Sequence, residues 1–327
     1  TQIGSLTTTQ NAGLSSLEIT LLTSSQVLGL TSTQISSLNV AQVSALGGVG
    51  GALVLNGSSQ YVSVPQNTLL PSGNSSYTIA ATIKTTANNS VGGIIGWGNN
   101  TGATSQSNAL RLNGAGGLIN YWWNNDLEVT AAQIMQNAQV SLVDGNYHQV
   151  VATYDGTNRS IYVDGFLIIS RAPSGPLNVP SPVSNVTIGV TDSNTKYFDG
   201  SISNVAVWSA GLSSAQISSL MSNSALSIPT NLVLDYVFNQ GSGTSISNLA
   251  SGSLTGTLVN NPTWLSASQL SLTTTQEAGL TSDQISGVDL IWIASLSSTQ
   301  IYSLSTTQES GLTSAQLGSL TTTQEAG

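Results

Sequence analysis

The chain lacks cysteine entirely and carries very little charge. Without thiols it has no disulfide framework, no thiolate metal site and no cysteine nucleophile. Only 6% of its 327 residues are charged, and 5 Lys and Arg stand against 14 Asp and Glu, which gives a formal net charge of −9. So few positive charges cannot neutralise a phosphate backbone, which argues against nucleic acid as a partner. No apolar run approaches the length that spans a bilayer.

The few basic residues all lie in the middle of the chain, at Lys84, Arg111, Arg159, Arg171 and Lys196. Ser, Thr, Asn, Gln and Gly dominate the rest. Low charge, abundant hydroxyl groups and absent cysteine are together typical of extracellular or surface-layer proteins, so we expect an extracellular or cell-surface, prokaryotic origin. The sequence begins without Met and inside a repeat, which fits a processed chain or one segment of a longer array.

An eight-residue repeat occupies both ends of the chain. Its consensus is Leu-Thr-(Ser/Thr)-(Ser/Thr)-Gln-(Ile/Val/Glu)-x-(Gly/Ser), and such a fixed period indicates a repeat architecture. Eight residues make about 2.2 turns of an α-helix, so in one long helix the Leu side chains would drift by roughly 80° per repeat. One continuous helix is therefore excluded. The Leu positions that we assign to assembly are Leu6, Leu14, Leu30, Leu38, Leu280, Leu296, Leu312 and Leu320.

Each octad contains the signature of one short helical turn. Thr at position two and Gln at position five match the capping box, and Leu at position one with Ile or Val at position six matches the hydrophobic staple. Gly at position eight permits a left-handed residue that ends the helix. A single turn is unstable alone, so the octads are predicted to stack as a solenoid. A β-solenoid is the alternative, and a disordered Ser/Thr linker is disfavoured by the regular Leu spacing.

The middle of the chain changes to the pattern of short β-strands. Runs such as YTIAATIK (77–84), HQVVATY (148–154) and LVLDYVF (232–238) are rich in Val, Ile, Tyr and Thr, and Gly, Asn and Asp clusters separate them. Asp155-Gly156 and Asp164-Gly165 predict hairpins with type I′ turns. These features predict an antiparallel two-sheet jelly roll.

The fold class is therefore mainly β, with a jelly roll inserted in a solenoid of short octapeptide repeats. The predicted domains are residues 1–47 (octads), 48–263 (jelly roll) and 264–327 (octads). The ends of a domain usually lie close together, so the two sets of octads are expected to stack as one solenoid. Because we expect no polar caps on that solenoid, we predict a head-to-tail homopolymer, a filament with the jelly rolls outside.

Four segments of the middle region resemble the laminin-G-like, concanavalin A-like lectin/glucanase family. The resemblance is carried by LVLNGSSQYVSVP (53–65), YHQVVATYDGTNRSIYVDG (147–165), VTIGV (186–190) and YFDGSISNVAVWSAGLSSAQISSL (197–220). It implies a two-sheet jelly roll whose relatives bind glycans or proteins, often with calcium, and sometimes hydrolyse polysaccharides.

Hydrolysis is not expected. Glycoside hydrolysis needs two carboxyl groups about 5 to 9.5 Å apart, and the best pair here is Asp126 with Glu128. This pair lacks the Glu-x-Asp-x-x-Glu signature of the glucanases that share the fold, so we predict no enzyme and no catalytic residues. His148 is the sole histidine, and since the sequence shows no partners for a metal site or triad, we expect a half-buried strand residue.

Two segments are candidates for ligand binding. Aromatic faces beside amides and a carboxylate suit a sugar, which predicts a carbohydrate site at Tyr121, Trp122, Trp123, Asn125 and Asp126. Neighbouring residues of a strand point to opposite faces, so at least one of the two Trp side chains is expected in the core. Oxygen ligands at Asp192, Asn194 and Asp199 predict a calcium site, although loop caps explain the same residues. No cofactor is required, and calcium is the candidate ion.

Two functions remain open from the sequence. In the first, the protein is structural, and the octads build a rod or fibre that displays the jelly roll. In the second, the jelly roll is a lectin-type adhesin head that binds glycans, and the octads are its stalk. The expected partners are thus other copies of the chain and glycans or cell-surface polysaccharide.

Overall fold

The computed structural model describes residues 3–14, 19, 22, 24–46, 51–66, 68–72, 74–88, 90–99, 106–122, 125–174, 186–191, 194–220, 228, 230–238, 241–250, 254–265, 272–288, 293, 296–318, 320 and 322–325. The chain forms two compact units. The repeat unit comprises Thr1–Gly50 and Ser266–Gly327, and the β unit comprises Gly51–Leu265.

The repeat unit consists of short helices, about one for each octad. A 3₁₀ turn at Ile3–Ser5 precedes them. The N-terminal helices are α1 (Thr8–Ala12), α2 (Ser24–Val27), α3 (Ser32–Ser36) and α4 (Val40–Ala45). The C-terminal helices are α7 (Thr274–Glu277), α8 (Ser282–Gly287), α9 (Ser298–Tyr302), α10 (Thr306–Glu309), α11 (Ser314–Leu317) and α12 (Thr322–Glu325).

The octad helices begin with complete capping boxes. In α3, the Thr31 hydroxyl accepts from the Gln34 backbone N–H at 3.2 Å, and Gln34 Oε1 accepts from the Thr31 backbone N–H at 2.8 Å. The same reciprocal pair opens α1, α4 and α7 to α11, with Ser or Asn replacing Thr in some octads. These bonds satisfy two backbone donors that a helix start leaves free.

In several octads the capping Gln makes a second contact, because its side-chain amide donates to backbone carbonyls of an octad earlier in the chain. Gln308 Nε2 donates to the carbonyls of Glu277 and Leu280, which lie 31 and 28 residues before it. Gln316 repeats both offsets with Ile285 and Val288. Gln308 and Gln316 therefore each cap the start of their own helix and the end of another. We call these bonds the Gln ladder.

The Gln ladder also joins the two segments of the repeat unit. Gln284 donates to the carbonyls of Ile35 and Leu38, at separations of 249 and 246 residues, and each separation exceeds the regular offset by 218. Gln276 bonds to Val27 and Leu30 with the same two separations. The N-terminal and C-terminal octads thus share one pattern of hydrogen bonds.

The repeat Leu residues form one apolar core in this unit. Leu30, Leu38, Leu280 and Leu296 are buried, and Ile35, Val43 and Ile285 from position six pack with them. The other predicted assembly residues, Leu6, Leu14, Leu312 and Leu320, are partly buried against the same core.

The octad glycines act differently from the prediction. Among the described residues, none at position eight has positive φ, and Gly13 ends α1 in the right-handed region with φ −80°. A Cβ at Gly279 would overlap the Ser32 carbonyl, and one at Gly311 would overlap the Ser282 carbonyl. The predicted left-handed stop is therefore wrong. Gly is present because another helix packs directly on its backbone.

The β unit contains two antiparallel sheets of eight described strands each. The first sheet runs β10-β9-β8-β3-β14-β1-β18, and β15 also pairs with β14. Its strands are β1 (Ala52–Asn56), β3 (Tyr77–Lys84), β8 (Tyr147–Tyr154), β9 (Arg159–Val163), β10 (Phe166–Arg171), β14 (Asp199–Trp208), β15 (Leu232–Val237) and β18 (Thr263–Leu265).

The second sheet runs β16-β17-β2-β11-β4-β5-β6-β7. Its strands are β2 (Tyr61–Val64), β4 (Gly93–Asn99), β5 (Gln106–Leu112), β6 (Leu118–Trp122), β7 (Leu127–Val129), β11 (Val186–Ile188), β16 (Ser245–Ser247) and β17 (Thr255–Val259). A separate ribbon pairs β12 (Val190–Thr191) with β13 (Lys196–Tyr197). The expected mainly β, jelly-roll-like architecture with two antiparallel sheets is confirmed.

The main core lies between the two sheets and follows strand alternation. In β3, Tyr77, Ile79, Ala81 and Ile83 belong to it. The intervening residues of β3 are also buried because Ala80 lies in a second apolar cluster, with Trp208 and Ile217, on the other face of the first sheet. Ile217 comes from helix α6 (Ser214–Ser219), and the other helix described in this unit is α5 (Ala131–Ala138). No described helix has the length and hydrophobicity to cross a membrane.

The two predicted hairpins form, but only one has the predicted turn. Asp164 and Gly165 between β9 and β10 have φ values of 48° and 78°, as a type I′ turn requires. Between β8 and β9, Asp155 does not have positive φ; its carboxylate instead accepts from the backbone N–H groups of Thr157 and Asn158 at 2.7 Å. That side-chain turn lengthens the loop, so the type I′ prediction at 155–156 is wrong.

Candidate functional site

The predicted carbohydrate segment begins at the end of β6. Trp122 is completely buried in the core, where its ring contacts Tyr77 and Tyr154 at centroid distances of 6.0 and 5.2 Å. A ring without exposed surface cannot stack on a sugar, so its assignment to the site is corrected to a core role. Trp123 lies outside the described residues, as does Asn124.

Tyr121 points to the opposite face of the same sheet, beside Ala109 and Ile119. The Arg111 guanidinium carbon lies 3.8 Å from the centre of its ring. Tyr121 is only 6% exposed, so its stacking surface is taken by the protein itself. The predicted aromatic platform is therefore wrong for this residue too, since strand alternation buries Tyr121 and Trp122 on different faces.

A buried arginine holds the segment that follows. Arg159, from β9 of the first sheet, is 1% exposed, and its guanidinium lies 3.8 Å from the Trp122 ring centre. It donates to the carbonyls of Asn120 and Asn125, and to Asn120 Oδ1 at 2.9 and 3.1 Å. Tyr77 donates its hydroxyl to the same Oδ1 at 2.6 Å. These bonds hold Asn120 and the backbone carbonyl of Asn125, both on the side of the second sheet, to the first sheet.

The polar end of this segment forms a small surface that we call the ledge, made of Asn125, Asp126, Arg171 and Ser174. Asp126, Arg171 and Ser174 are exposed, and Asn125 is buried beneath them. Arg171 Nη2 donates to the Asp126 carbonyl at 3.3 Å, and the Ser174 hydroxyl donates to Asn125 Oδ1 at 3.2 Å. Of the predicted sugar residues that the structure describes, Asp126 is the one at an accessible surface, and Asn125 lies buried next to it.

The charges of the ledge are balanced rather than uniform. Partial desolvation raises the pKa of the Asp126 carboxyl, while Arg111, the Trp122 backbone N–H and Arg159 act to lower it. Oδ1 accepts from the Trp122 backbone N–H at 3.1 Å, which orients the carboxylate. An oriented carboxylate beside an exposed guanidinium offers an acceptor and several donors within one small area. That combination suits the hydroxyl groups of a sugar.

The carboxylates considered for hydrolysis are both tied to neighbours. Glu128 Oε1 accepts from Asn113 Nδ2 at 2.8 Å, and Asp126 is held by Trp122 as above. Both residues are exposed. The absence of catalytic residues stays a prediction.

Two of the three predicted calcium ligands lie in the described structure, in and after the β12–β13 ribbon. Asp192 is outside the described residues, Asn194 has φ 65° in the turn of the ribbon, and Asp199 starts β14 opposite Asn56. Asn194 and Asp199 are both exposed. Within the described part of the chain, no group of three or more His, Asp or Glu side chains is arranged to hold a metal ion. Calcium binding stays a prediction.

His148 has partners that the sequence did not reveal. It is 4% exposed, Nδ1 lies 2.7 Å from Asp164 Oδ2, and Nε2 lies 3.1 Å from Asp144 Oδ1. Burial acts to lower the pKa of His148, but the hydrogen bonds and charges of Asp164 and Asp144 outweigh it and raise the pKa. The expected half-buried strand residue is thus corrected: His148 does lie in a strand, but it is buried and contacts two carboxylates. The hairpin signal at Asp164-Gly165 located one partner, but nothing in the sequence linked that turn to His148.

Comparison with known proteins identifies the family of the β unit. Residues 56–218 match the family model described as the concanavalin A-like lectin/glucanases superfamily, of the laminin G type. These residues form a laminin-G-like domain of that superfamily. The chain has no significant match among curated proteins.

Solved structures share the fold of the laminin-G-like domain. A candidate carbohydrate-binding protein from Bacteroides ovatus is similar over 66% of this chain and 59% of its own length, with 22% identity and a TM-score of 0.50. This chain therefore spans less than two thirds of that protein. The CBM40 of the Ruminococcus gnavus IT-sialidase, bound to α2,3 sialyllactose, is 18% identical and covers 51% of this chain and 96% of its own, with a TM-score of 0.41.

Proposed function

We propose that the laminin-G-like domain is a carbohydrate-binding module without hydrolytic activity, on an extracellular or cell-surface protein. The observation that carries the proposal is the superfamily match of residues 56–218. The similar Bacteroides ovatus protein, itself a candidate carbohydrate-binding protein, supports it. These two observations favour the interpretation of the chain as a lectin over its interpretation as a purely structural fibre.

The ledge is the part of the domain that we assign to the glycan. The Asp126 carboxylate accepts hydrogen bonds from sugar hydroxyls, and the Arg171 guanidinium donates to them. Arg159 holds the backbone of Asn125 in place, so little ordering entropy is lost on binding. Because the described ledge has no exposed aromatic ring, we expect hydrogen bonds rather than stacking to carry the recognition.

A glycan array with the intact chain tests both parts of this proposal. We expect selective glycan binding by the wild type and a loss of about tenfold or more in affinity for Asp126→Asn and Arg171→Gln, because each removes charged hydrogen bonds. Asp283→Asn, at an exposed Asp of the repeat unit, is the matched control. The two ledge variants should melt like the wild type, since their side chains are exposed.

The possible outcomes separate the function from its location. A wild-type chain that binds no glycan contradicts the proposed function. Unchanged binding by Asp126→Asn and Arg171→Gln leaves the function in place but removes the ledge as its site. Release of reducing ends from any glucan, lost in Glu128→Gln, would show an enzyme and contradict the non-catalytic part.

A second candidate function is structural, and the Gln ladder favours it. The same two offsets recur at Gln308, Gln316 and Gln324, so the pattern has no intrinsic length limit. We propose that the octads form a helical solenoid interrupted by the jelly roll at 48–263, with the predicted segments 1–47 and 264–327 as its two parts. Such a rod serves as the stalk of a lectin or as an assembling fibre.

Sedimentation and electron microscopy of the purified chain distinguish the two roles. Concentration-dependent filaments that persist in high salt support the fibre, since the octads contain no Lys or Arg and hence no salt-screened ion pairs. A monodisperse monomer at high concentration contradicts the homopolymer and leaves the stalk.

A further inference from the structure

The sole histidine of the chain connects two loops of the laminin-G-like domain. His148 lies in β8, Asp144 in the loop before that strand, and Asp164 in the β9–β10 turn. Both carboxylates are held in place by backbone donors. Asp144 Oδ1 also accepts from the Asn146 N–H at 2.7 Å, and Asp164 Oδ1 accepts from the Gln149 N–H at 2.8 Å.

The number of protons on the ring decides whether both contacts are favourable. A neutral imidazole has one N–H donor and one acceptor nitrogen, whereas the cation donates from both nitrogens. Here each ring nitrogen faces a carboxylate oxygen, at 2.7 and 3.1 Å, and an ionised carboxylate only accepts. The neutral ring would therefore leave an acceptor nitrogen against an acceptor oxygen. Only the doubly protonated ring satisfies this geometry.

The two carboxylates are unequally exposed, which determines the contact that is lost on deprotonation. The Asp164 side chain is 12% exposed and Asp144 is 34% exposed. Water can solvate Asp144 more readily, and its contact is also the longer one. The neighbouring strand β3 carries Lys84, which pairs with Tyr147 and whose Nζ lies 5.5 Å from the centre of the Tyr147 ring.

We propose that His148 is a proton-dependent clamp. Its cation ties the loop at 144–146 to the β9–β10 turn, and loss of the proton releases Asp144 and loosens that loop while the Asp164 contact remains. The clamp is independent of the ledge and of glycan binding. The loop at 144–146 is therefore held rigidly in mildly acidic conditions and becomes more mobile in alkaline ones.

Because the chain has one histidine, its ring can be followed without assignment ambiguity in the intact protein. We would record the side-chain ¹⁵N resonances of the full chain between pH 5 and pH 9. We expect both nitrogens to be protonated at pH 6 and the proton to be lost above the ordinary value of 6.5. Asp144→Asn should lower the midpoint by about one pH unit, and Asp164→Asn by at least as much.

Asp155→Asn, in the neighbouring β8–β9 loop, is the matched control and should leave the His148 midpoint unchanged. A ring with one protonated nitrogen at pH 6, or a wild-type midpoint at or below 6.5, overturns the proposal. If Asp164→Asn fails to fold, the proposal is still tested by the wild-type titration and by Asp144→Asn, which changes the more exposed carboxylate.

Amide hydrogen exchange provides a second readout that a merely structural histidine would not change. The Gly145 N–H donates to Thr85 O at 3.1 Å, and Asn146 donates to Asp144. Relative to the unfolded chain at the same pH, protection of these two amides should fall as His148 loses its proton and should already be low at pH 6 in His148→Gln. Protection that stays constant through the titration would contradict the release of the loop.

Discussion

At the scale of single residues, the alternation of side chains between the two faces of β6 decides the roles of two aromatic residues. Trp122 faces the space between the sheets, and Tyr121 faces the other way. In the sequence both side chains suggested a surface on which a sugar could stack, but in the structure both are buried by contacts within the protein. Arg159 and Arg111 lie against these rings and make cation–π contacts with them. The two arginines therefore stabilise the end of the strand and are not placed to bind a ligand.

Replacing Trp122 should therefore affect stability and not only binding. Trp122→Ala removes a fully buried ring and leaves Arg159 without its stacking partner, so we expect a loss of about 3–5 kcal/mol in the free energy of unfolding. Phe166→Ala, at an aromatic residue that is 56% exposed, is the control and should change the value by about 0.5 kcal/mol or less. Urea unfolding measures both. Equal midpoints for the two variants would place Trp122 outside the core.

At the scale of the repeat element, the Gln ladder explains why position five carries Gln. Glu would satisfy the capping box equally well, because only the side-chain carbonyl is needed there. The backbone carbonyls of an earlier octad need a donor, and only the amide supplies one. The buried Glu277 at position six uses the same donor, since its Oε1 accepts from Gln300 Nε2.

The variant Gln284→Glu tests this second task separately from capping. It keeps the Thr281 capping box but places a carboxylate against the carbonyls of Ile35 and Leu38, and Gln284 is 2% exposed. We expect a loss of about 1–3 kcal/mol or more at neutral pH, with partial recovery in acid when the carboxyl is protonated.

Gln10→Glu is the matched control, because Gln10 has the same capping box, is exposed, and donates its side-chain amide to no described residue. Thermal unfolding of both variants should show an effect for Gln284 alone. Similar losses in the two variants would mean that capping, and not the ladder, supplies the stability.

At the scale of the whole molecule, acids buried in each unit favour their protonated forms. Asp235, on β15 opposite Ala206, is 2% exposed, and its Oδ2 has no hydrogen-bond partner among the described residues. Burial raises its pKa to about 6 from the ordinary 3.8. Burial also raises the pKa of Glu277 in the repeat unit, and the bond from Gln300 offsets only part of that. Protonation of these two acids is therefore easier in the folded chain than in the unfolded one.

The sign of the pH dependence follows from Asp235. A carboxyl whose pKa is higher in the folded state stabilises the fold fully below its unfolded value and loses that contribution as pH rises. We therefore expect the free energy of unfolding to fall between pH 3.8 and about 6, by up to about 3 kcal/mol from this group. Asp235→Asn should remove that part of the slope.

Urea unfolding at pH 4, 5, 6 and 7 gives the comparison. The two curves should differ in slope below pH 6 and run parallel above it, where Asp235 is already ionised and His148 titrates in both proteins. If Asp235→Asn keeps the wild-type dependence of the unfolding free energy on pH, another group must cause the greater stability in acid.

The sequence by itself determined the local and periodic features of this protein. Capping boxes, β-strands with alternating burial, and the Asp164-Gly165 turn depend on residues a few positions apart, and the lectin/glucanase motif covers a continuous stretch. Only the tertiary structure decided which residues the polar and aromatic side chains contact. The Asp164 contact of His148, the carbonyls that accept from Gln284 and the close approach at Gly279 all join residues 16 or more positions apart in the chain, and Tyr121 is buried by packing against the neighbouring strand β5. Their spacing is set by packing across sheets and octads, which no local pattern encodes.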